Sequence, residues 1–228
     1  MPKCLNADQR RQRCQSSEQT LELFRRDPND FLLRLVTTDE TWLYHYDLET
    51  KQQSMEWRHS GLPRPKNSEC KNPLEKFSPA FWDQDGILLI DYLQKGQTMN
   101  AEYYSSLLVQ LKDILKEKRR GKVTKGVLFL HDNVPSHRAL ATQKKLAYLG
   151  FQCLESPPYS LDLAPSDYHL FPGLKVQLKD RHFSSDTEVN VAAKTWLEDN
   201  FLIFFFSGLQ KLEQRAKKCI ELRGEYVE

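Results

Sequence analysis

A run of four apolar residues, Val127–Leu130, leads directly into the polar pair His131-Asp132. A short continuous apolar run is typical of a strand whose two faces are both covered, as in an α/β sheet. Asp132 then lies at the tip of that strand, where a carboxylate is costly unless a cation or hydrogen-bond donors compensate it. The run therefore predicts a buried sheet with a polar site at its edge.

The other hydrophobic patterns predict an α/β domain with a mixed sheet flanked by helices, since strands and helices interleave along the chain. Asn100 is expected to cap the helix after it, and Asp83-Gln-Asp-Gly86 carries an Asp-Gly hairpin signal. Pro79 is awkward for the first strand of that hairpin, because it has no N–H to donate. The predicted helices span 8–26, 101–119, 136–149, 187–200 and 207–220, with another from Ser166. The predicted strands span Phe31–Tyr46, Ala80–Trp82, Ile87–Tyr92, Val127–Leu130 and Phe151–Leu154.

Composition is ordinary for a soluble globular protein, and 228 residues suit one domain. The formal net charge of +2 does not by itself indicate a nucleic-acid binder. The five cysteines are scattered without a Cys-x-x-Cys pair, which argues against a disulfide framework and a structural zinc site. No secretory segment or long apolar run appears, so we expect the chain neither to be secreted nor to span a membrane.

Local charge is more informative than net charge. Residues 112–125 carry seven basic side chains against two acids. Such a segment can track phosphates, and a solvated loop is the plainer alternative. The predicted DNA-binding residues are Lys118, Arg119, Arg120 and Lys122.

Three aspartates fall where a metal site would need them. Asp39 lies in the first predicted strand, Asp132 at the tip of a later one, and Asp167 just inside the helix that begins near Ser166. Thirty-four residues separate Asp132 from Asp167. If the two strands are neighbours, the carboxylates converge and suit two magnesium ions, the usual equipment for in-line displacement at phosphorus.

Plainer explanations stay open for each of these acids. The chain has fifteen aspartates, and Asp132 also suits a simple strand-end turn. Asp167 suits the first turn of a helix through the helix dipole, and Asp162 can replace it in any spacing argument. His131 and His137 are interpreted as local hydrogen-bonding residues rather than metal ligands.

Several segments resemble the mariner transposases, and the likeness runs over nearly the whole chain. The spacing of thirty-four residues between Asp132 and Asp167 is a mark of that family. The matching segments are Val36-Thr-Thr-Asp-Glu-Thr-Trp42, Phe81-Trp-Asp83, Gly86-Ile-Leu-Leu-Ile-Asp-Tyr92, His131-Asp-Asn-Val-Pro-Ser-His137, Tyr159-Ser-Leu-Asp-Leu-Ala-Pro-Ser-Asp-Tyr-His-Leu-Phe171, Lys218-Cys-Ile220 and Gly224-Glu-Tyr226.

The resemblance implies an RNase H-like catalytic domain over 29–228, preceded by a linker remnant and an N-terminal helix over 1–28. It implies that Asp39, Asp132 and Asp167 bind two Mg²⁺ or Mn²⁺ ions. Asp39 would bridge both ions, and the other two carboxylates would each complete one. The segment 47–76 would correspond to the family's clamp loop, which reaches a partner subunit.

The same resemblance implies a function on double-stranded DNA in the nucleus. The family cuts DNA at terminal inverted repeats with metal-activated water and joins the freed 3′ ends to a TA target. A TA step is easily deformed, which suits a target that must bend. A homodimer is the expected assembly.

Departures from the family pattern suggest an alternative. The family's paired helix-turn-helix modules have no counterpart ahead of the linker motif, so we expect sequence-specific recognition of the repeats to be lost or weakened. Pro79, Leu161 and Ala216 replace residues more usual for the family, and the segment 201–206 is unusually apolar. The alternative is a domesticated or decayed relic that associates with DNA or dimerises without catalysis.

Overall fold

The computed structural model describes residues 4–42, 76–92, 98–119, 126–154, 156–157, 159–179, 181, 183, 186–199 and 202–227. The helices are α1 (Ala7–Arg26), α2 (Pro28–Arg34), α3 (Ala101–Lys118), α4 (Pro135–Arg138), α5 (Leu140–Tyr148), α6 (Phe171–Leu178), α7 (Asp186–Asp199) and α8 (Leu202–Glu221). A 3₁₀ turn spans Leu161–Leu163, and a π-helical turn spans Ser166–Leu170. The strands are β1 (Leu35–Trp42), β2 (Lys76–Asp83), β3 (Gly86–Tyr92), β4 (Val127–Leu130) and β5 (Phe151–Leu154).

The five strands form one mixed sheet in the order β3-β2-β1-β4-β5. Neighbours β1, β2 and β3 pair antiparallel, whereas β4 runs parallel to both β1 and β5. Adjacent residues of β1 serve opposite faces: Leu35 packs into the core with α2, α6, α7 and α8, and Val36 packs into the core with α3 and α5. The prediction of a mixed sheet covered by helices is confirmed.

The first strand begins later than the predicted Phe31, because Pro28–Arg34 forms α2. Asp27 caps this helix by accepting a hydrogen bond from Asp30 N–H at 3.0 Å, and Pro28 occupies the first helical turn. An Asp-Pro pair is a strong start signal for a helix, so the Asp-Pro that ends α1 also begins α2. The predicted end of the strand, residues 43–46, lies outside the described residues.

Pro79 lies in β2, an inner strand, where a residue without an N–H to donate is unfavourable. The pairing of β2 shifts register between Asp39 and Thr41 on one side and between Phe77 and Ala80 on the other. Both irregularities fall at the level of Pro79, and bulges are the places where a sheet accepts proline. Strand β2 therefore continues on both sides of Pro79.

Helix α1 is fixed to the end of the chain by a group of contacts that we call the Arg13 clamp. The fully buried guanidinium of Arg13 lies 2.5 Å from the Asp162 carboxylate, and both of its terminal nitrogens donate to that carboxylate. It also donates to Ser160 Oγ and to the carbonyl of Gly224, both at 2.8 Å. The clamp joins α1, the 3₁₀ turn and the segment after α8. The boundary predicted at residue 28 stays a prediction.

Replacing Gly224 with Ala is expected to lower the free energy of unfolding by about 2–4 kcal/mol. Gly224 has φ +85°, and a Cβ there would lie 2.3 Å from the backbone oxygen of Arg10. Chemical denaturation measures the change, with Gly150→Ala as the matched control. Gly150 has φ +73° but nothing within 4 Å of the added Cβ, so its substitution should cost only about 1 kcal/mol. Equal costs for the two variants would contradict the predicted clash.

The apolar segment at the start of α8 is only partly in the core. Phe205 is buried and packs against Trp82, with ring centroids 5.7 Å apart, but Leu202 and Ile203 are exposed. Leu202 and Ile203 of this unusually apolar segment therefore lie outside the core. The predicted helix over 136–149 is two helices, α4 and α5. Within the described part of the chain, no helix is long and apolar enough to cross a membrane.

Candidate metal-binding active site

Two of the three candidate aspartates lie in and just after neighbouring parallel strands: Asp39 is in β1, and Asp132 follows the end of β4 by two residues. Leu35 pairs with Leu128 and Thr37 with Leu130. If this register is continued by two residues beyond the pair Thr37–Leu130, Asp39 lies level with Asp132. The two strands are therefore neighbours, as convergence of these carboxylates requires.

Asp167 approaches the same point from a π-helical turn. Within this turn Phe171 N–H donates to the carbonyl of Ser166, five residues earlier. The turn is held against the sheet because Trp82 Nε1 donates to Ser166 Oγ at 3.0 Å in a buried contact. The carboxyl groups of Asp39, Asp132 and Asp167 lie close enough for their charges to affect one another. The structure therefore brings the predicted aspartates together.

The electrostatics of this cluster oppose full ionisation. Asp39 is 7% exposed, and burial raises its pKa well above the ordinary value, with Asp167 and Asp132 adding to the rise. The Glu40 N–H donates to Asp39 Oδ1 at 2.7 Å and offsets part of this effect. Burial also raises the pKa of Asp167, against the lowering effects of its interaction with Asp39 and of the charge of Lys175. Such a cluster carries negative charge that a cation can stabilise.

The residue types at this site suit a divalent metal ion. Their ligand atoms are carboxylate oxygens, which Mg²⁺ and Mn²⁺ prefer, and Asp167 Oδ2 is buried with no hydrogen-bond partner among the described residues. In the described ranges, no three or more His, Cys, Asp or Glu side chains are arranged to hold one ion.

Asp132 is tied to a histidine in its own loop. Its Oδ1 lies 2.7 Å from His137 Nδ1, and the His137 ring is almost completely buried. His131 is also mostly buried, and burial lowers its pKa to about 4, with a further lowering from His137. The contact of His137 agrees with its interpretation as a local hydrogen-bonding residue.

The alternative acid Asp162 has a different task. Its carboxylate accepts hydrogen bonds from Arg13 and, at 2.8 Å, from Val227 N–H. These contacts make it the anion of the Arg13 clamp. The ambiguity between Asp162 and Asp167 is thus resolved by a partner that lies far away in sequence.

The predicted basic DNA-binding segment is only partly described. Lys118 is exposed, and its Nζ donates to the carbonyl of Ile87 at 3.0 Å. Arg119 is buried and lies 2.6 Å from Asp83, so it stabilises the end of the β2–β3 hairpin. Burial raises the pKa of Asp83, although Arg119 opposes the rise. Arg120 and Lys122 lie outside the described residues.

A groove of about 630 Å³ ends at Asp132, a feature that the sequence did not indicate. It runs between α1 and α5, with residues of β5 on its floor. Amide side chains line it: Gln12, Gln15, Asn133 and Gln143. Its residues come from segments far apart in the chain, so no local pattern could have revealed it.

Comparison with known proteins agrees with this geometry. Residues 47–125 match the family described as Transposase (partial DDE domain). The mariner Mos1 transposase of Drosophila mauritiana is 34% identical over 239 residues, a match that covers all of this chain and 66% of that protein. Human histone-lysine N-methyltransferase SETMAR is 28% identical over 230 residues, covering all of this chain and 33% of that protein. The chain therefore spans about two thirds and one third of the length of these relatives.

Solved structures extend the likeness to three dimensions. The crystal structure of the catalytic domain of Mos1 mariner transposase has a TM-score of 0.81, 32% identity and full coverage of both chains. A pre-cleavage Mos1 transpososome has a TM-score of 0.82 and 32% identity, and the match covers 66% of its chain. With this fold and end-to-end identity, the chain belongs to the mariner transposase family, and it has the RNase H-like fold of the catalytic domain.

Proposed function

We propose that this chain cuts and joins DNA strands by metal-dependent phosphoryl transfer, as the catalytic domain of a mariner-type transposase. The observation that carries the proposal is the convergence of Asp39, Asp132 and Asp167. The pKa of Asp39 is raised by burial and by the nearby Asp167 and Asp132. An acid as buried as Asp39, with two further acids beside it, is costly to the fold unless a cation is bound there.

Three side chains would hold the metal. These are the carboxylates of Asp39, Asp132 and Asp167. The ions, when bound, supply activation of an attacking oxygen and stabilisation of the leaving oxygen. The Mos1 catalytic domain has been solved with Mn and with Mg, which supports either ion here.

The proposed substrate is double-stranded DNA, namely transposon ends and a TA target. Mos1 has been solved as a paired-end complex with the left transposon end and as a strand transfer complex. Two ends held together suit a homodimer, which we propose for this chain as well. Because chromosomal DNA is the substrate, we place the activity in the nucleus. Lys118 is the proposed phosphate contact among the described basic residues.

Purified protein is expected to nick supercoiled plasmid in Mn²⁺ or Mg²⁺, and Asp132→Asn should lower the rate at least about 100-fold. The reason is that Asn has no charge with which to bind the ion. Asp113→Asn is the matched control, since Asp113 is an exposed acid that pairs with Lys116 at 2.9 Å. Nicking by Asp132→Asn at the rate of the unmodified protein would refute the proposal.

A second candidate function, DNA association without catalysis, is favoured by one observation. A protein named for a different activity, SETMAR, contains a region similar to this whole chain. Ala216, one of the departures from the family pattern, is buried and lines a cavity of only about 20 Å³. DNA binding that persists while nicking stays absent in both metals would establish this candidate.

A further inference from the structure

We propose that His137 is a positioning residue that orients the Asp132 carboxylate for the metal. The inference rests on the proposed function, because it assigns a task to a neighbour of a proposed ligand. His137 Nδ1 lies 2.7 Å from Asp132 Oδ1. The histidine itself is buried and therefore acts through Asp132.

The local chain path brings this ring back to the strand end. Pro135 begins the one-turn helix α4 directly after the turn that follows β4. Val134 N–H points to Asp132 Oδ1 at 3.5 Å, and His137 N–H donates to the carbonyl of Val134 at 3.0 Å. The backbone thus doubles back over five residues and places the imidazole beside the carboxylate.

The ring is held in place from the other side. Tyr104 of α3 is completely buried, and its ring centroid lies 3.9 Å from that of His137. Thr142 Oγ1 donates to the carbonyl of Ser136 at 2.7 Å and fixes the turn that carries the ring. An imidazole packed on an aromatic face cannot swing away from its partner without disturbing the core.

Hydrogen-bond chemistry decides the direction of the contact. An ionised carboxylate only accepts hydrogen bonds, so Nδ1 must carry the hydrogen that is donated to Asp132. Among the described residues, the two hydrogen bonds to this carboxylate both use Oδ1, which leaves Oδ2 for a cation. His137 Nε2 is 4.0 Å from Glu40 Oε1, beyond hydrogen-bond distance. Partners that orient a ligating carboxylate in this way commonly change metal affinity 10- to 100-fold.

Calorimetric titration with Mn²⁺ tests the proposal on four proteins. His137→Leu should weaken Mn²⁺ binding at least about 10-fold, since the donor to Asp132 is lost. His137→Asn should stay within about 3-fold of the unmodified protein, because an amide N–H can stand where Nδ1–H stood. Thr142→Val is the control: it removes a buried hydrogen bond from the same turn and should lower the melting temperature without weakening Mn²⁺ binding.

Two results would overturn the proposal. One is Mn²⁺ binding by His137→Leu as tight as that of the unmodified protein, and the other is equal weakening in the Asn and Leu variants. Nitrogen NMR of the unmodified protein supplies a measurement without any variant, and an Nε2–H tautomer at His137 would also contradict the assignment. Mn²⁺ binding without nicking would remove the proposed function and leave the positioning role. Absence of Mn²⁺ binding by the unmodified protein would remove both.

Discussion

Replacing Asp39 with Asn is expected to stabilise the metal-free protein while weakening its affinity for Mn²⁺ at least about 100-fold. Asn keeps an oxygen for the Glu40 N–H and offers an N–H to Asp167, yet it carries no charge among the other acids. The free energy of unfolding should rise by about 1 kcal/mol, the scale of an uncompensated buried polar group.

The pH dependence of this gain follows from the direction of the pKa shift. The folded pKa of Asp39 lies well above its ordinary value of 3.8. A raised carboxyl pKa means that the stability the group contributes at low pH is lost as pH rises through the folded pKa. Asp39→Asn should therefore be more stable than the unmodified protein at neutral pH, and the difference should vanish as pH falls below the ordinary value.

Denaturant titrations of metal-free protein across this pH range measure the effect. Asp83→Asn is the matched control, because Asp83 is also a buried acid whose pKa is raised by burial. Asp83 has the guanidinium of Arg119 at 2.6 Å, so its neutralisation should destabilise the protein. If Asp39→Asn also proved destabilising at neutral pH, the prediction that the negative charge of the carboxylate cluster lacks a compensating partner would be wrong.

Replacing Arg13 with Ala is expected to cost about 3–5 kcal/mol, because Asp162 would keep a largely buried charge without its partner. The guanidinium is completely buried and contacts two other parts of the chain, the 3₁₀ turn with its cap and the segment after α8. For a chain of this size, the loss corresponds to a fall in melting temperature of roughly 6–20 °C. Differential scanning calorimetry measures it directly.

Arg10→Ala is the control for this prediction. Arg10 lies one turn earlier on the same helix and pairs with Glu225 at 2.8 Å, but both side chains are nearly half exposed. Exposed pairs contribute at most about 1 kcal/mol. A loss as small for Arg13→Ala as for Arg10→Ala would mean that the Arg13 clamp contributes little to the fold.

Much of the site could be predicted because its signals are local. The apolar run of β4 and the polar residues after it mark a strand end, and the Asn100 cap marks the start of α3. Asn100 indeed accepts a hydrogen bond from Tyr103 N–H at 2.8 Å. The resemblance to the mariner transposases then selected Asp39, Asp132 and Asp167 from fifteen aspartates.

The remaining features depend on partners that are distant in sequence. Asp162 and Asp167 look equivalent in the sequence, and only the fold shows that Asp162 forms an ion pair with Arg13. Arg119 belongs to a basic run, but Asp83 draws it into the interior. The segment that forms α2 is compatible with either helix or strand by its apolar pattern, and its capping residue decided the outcome. Burial and long-range pairing are properties of the fold, which a local pattern does not contain.

The Arg13 clamp also holds the two described ends of the domain next to each other. The first described helix and the last described residues meet there, with Gly224 pressed against the backbone of Arg10 and Glu225 paired with the Arg10 side chain. Polypeptides joined before α1 and after Val227 would leave the domain from one corner. Adjacent ends suit insertion as a unit into another chain, and they suit circular permutation through a short connecting loop.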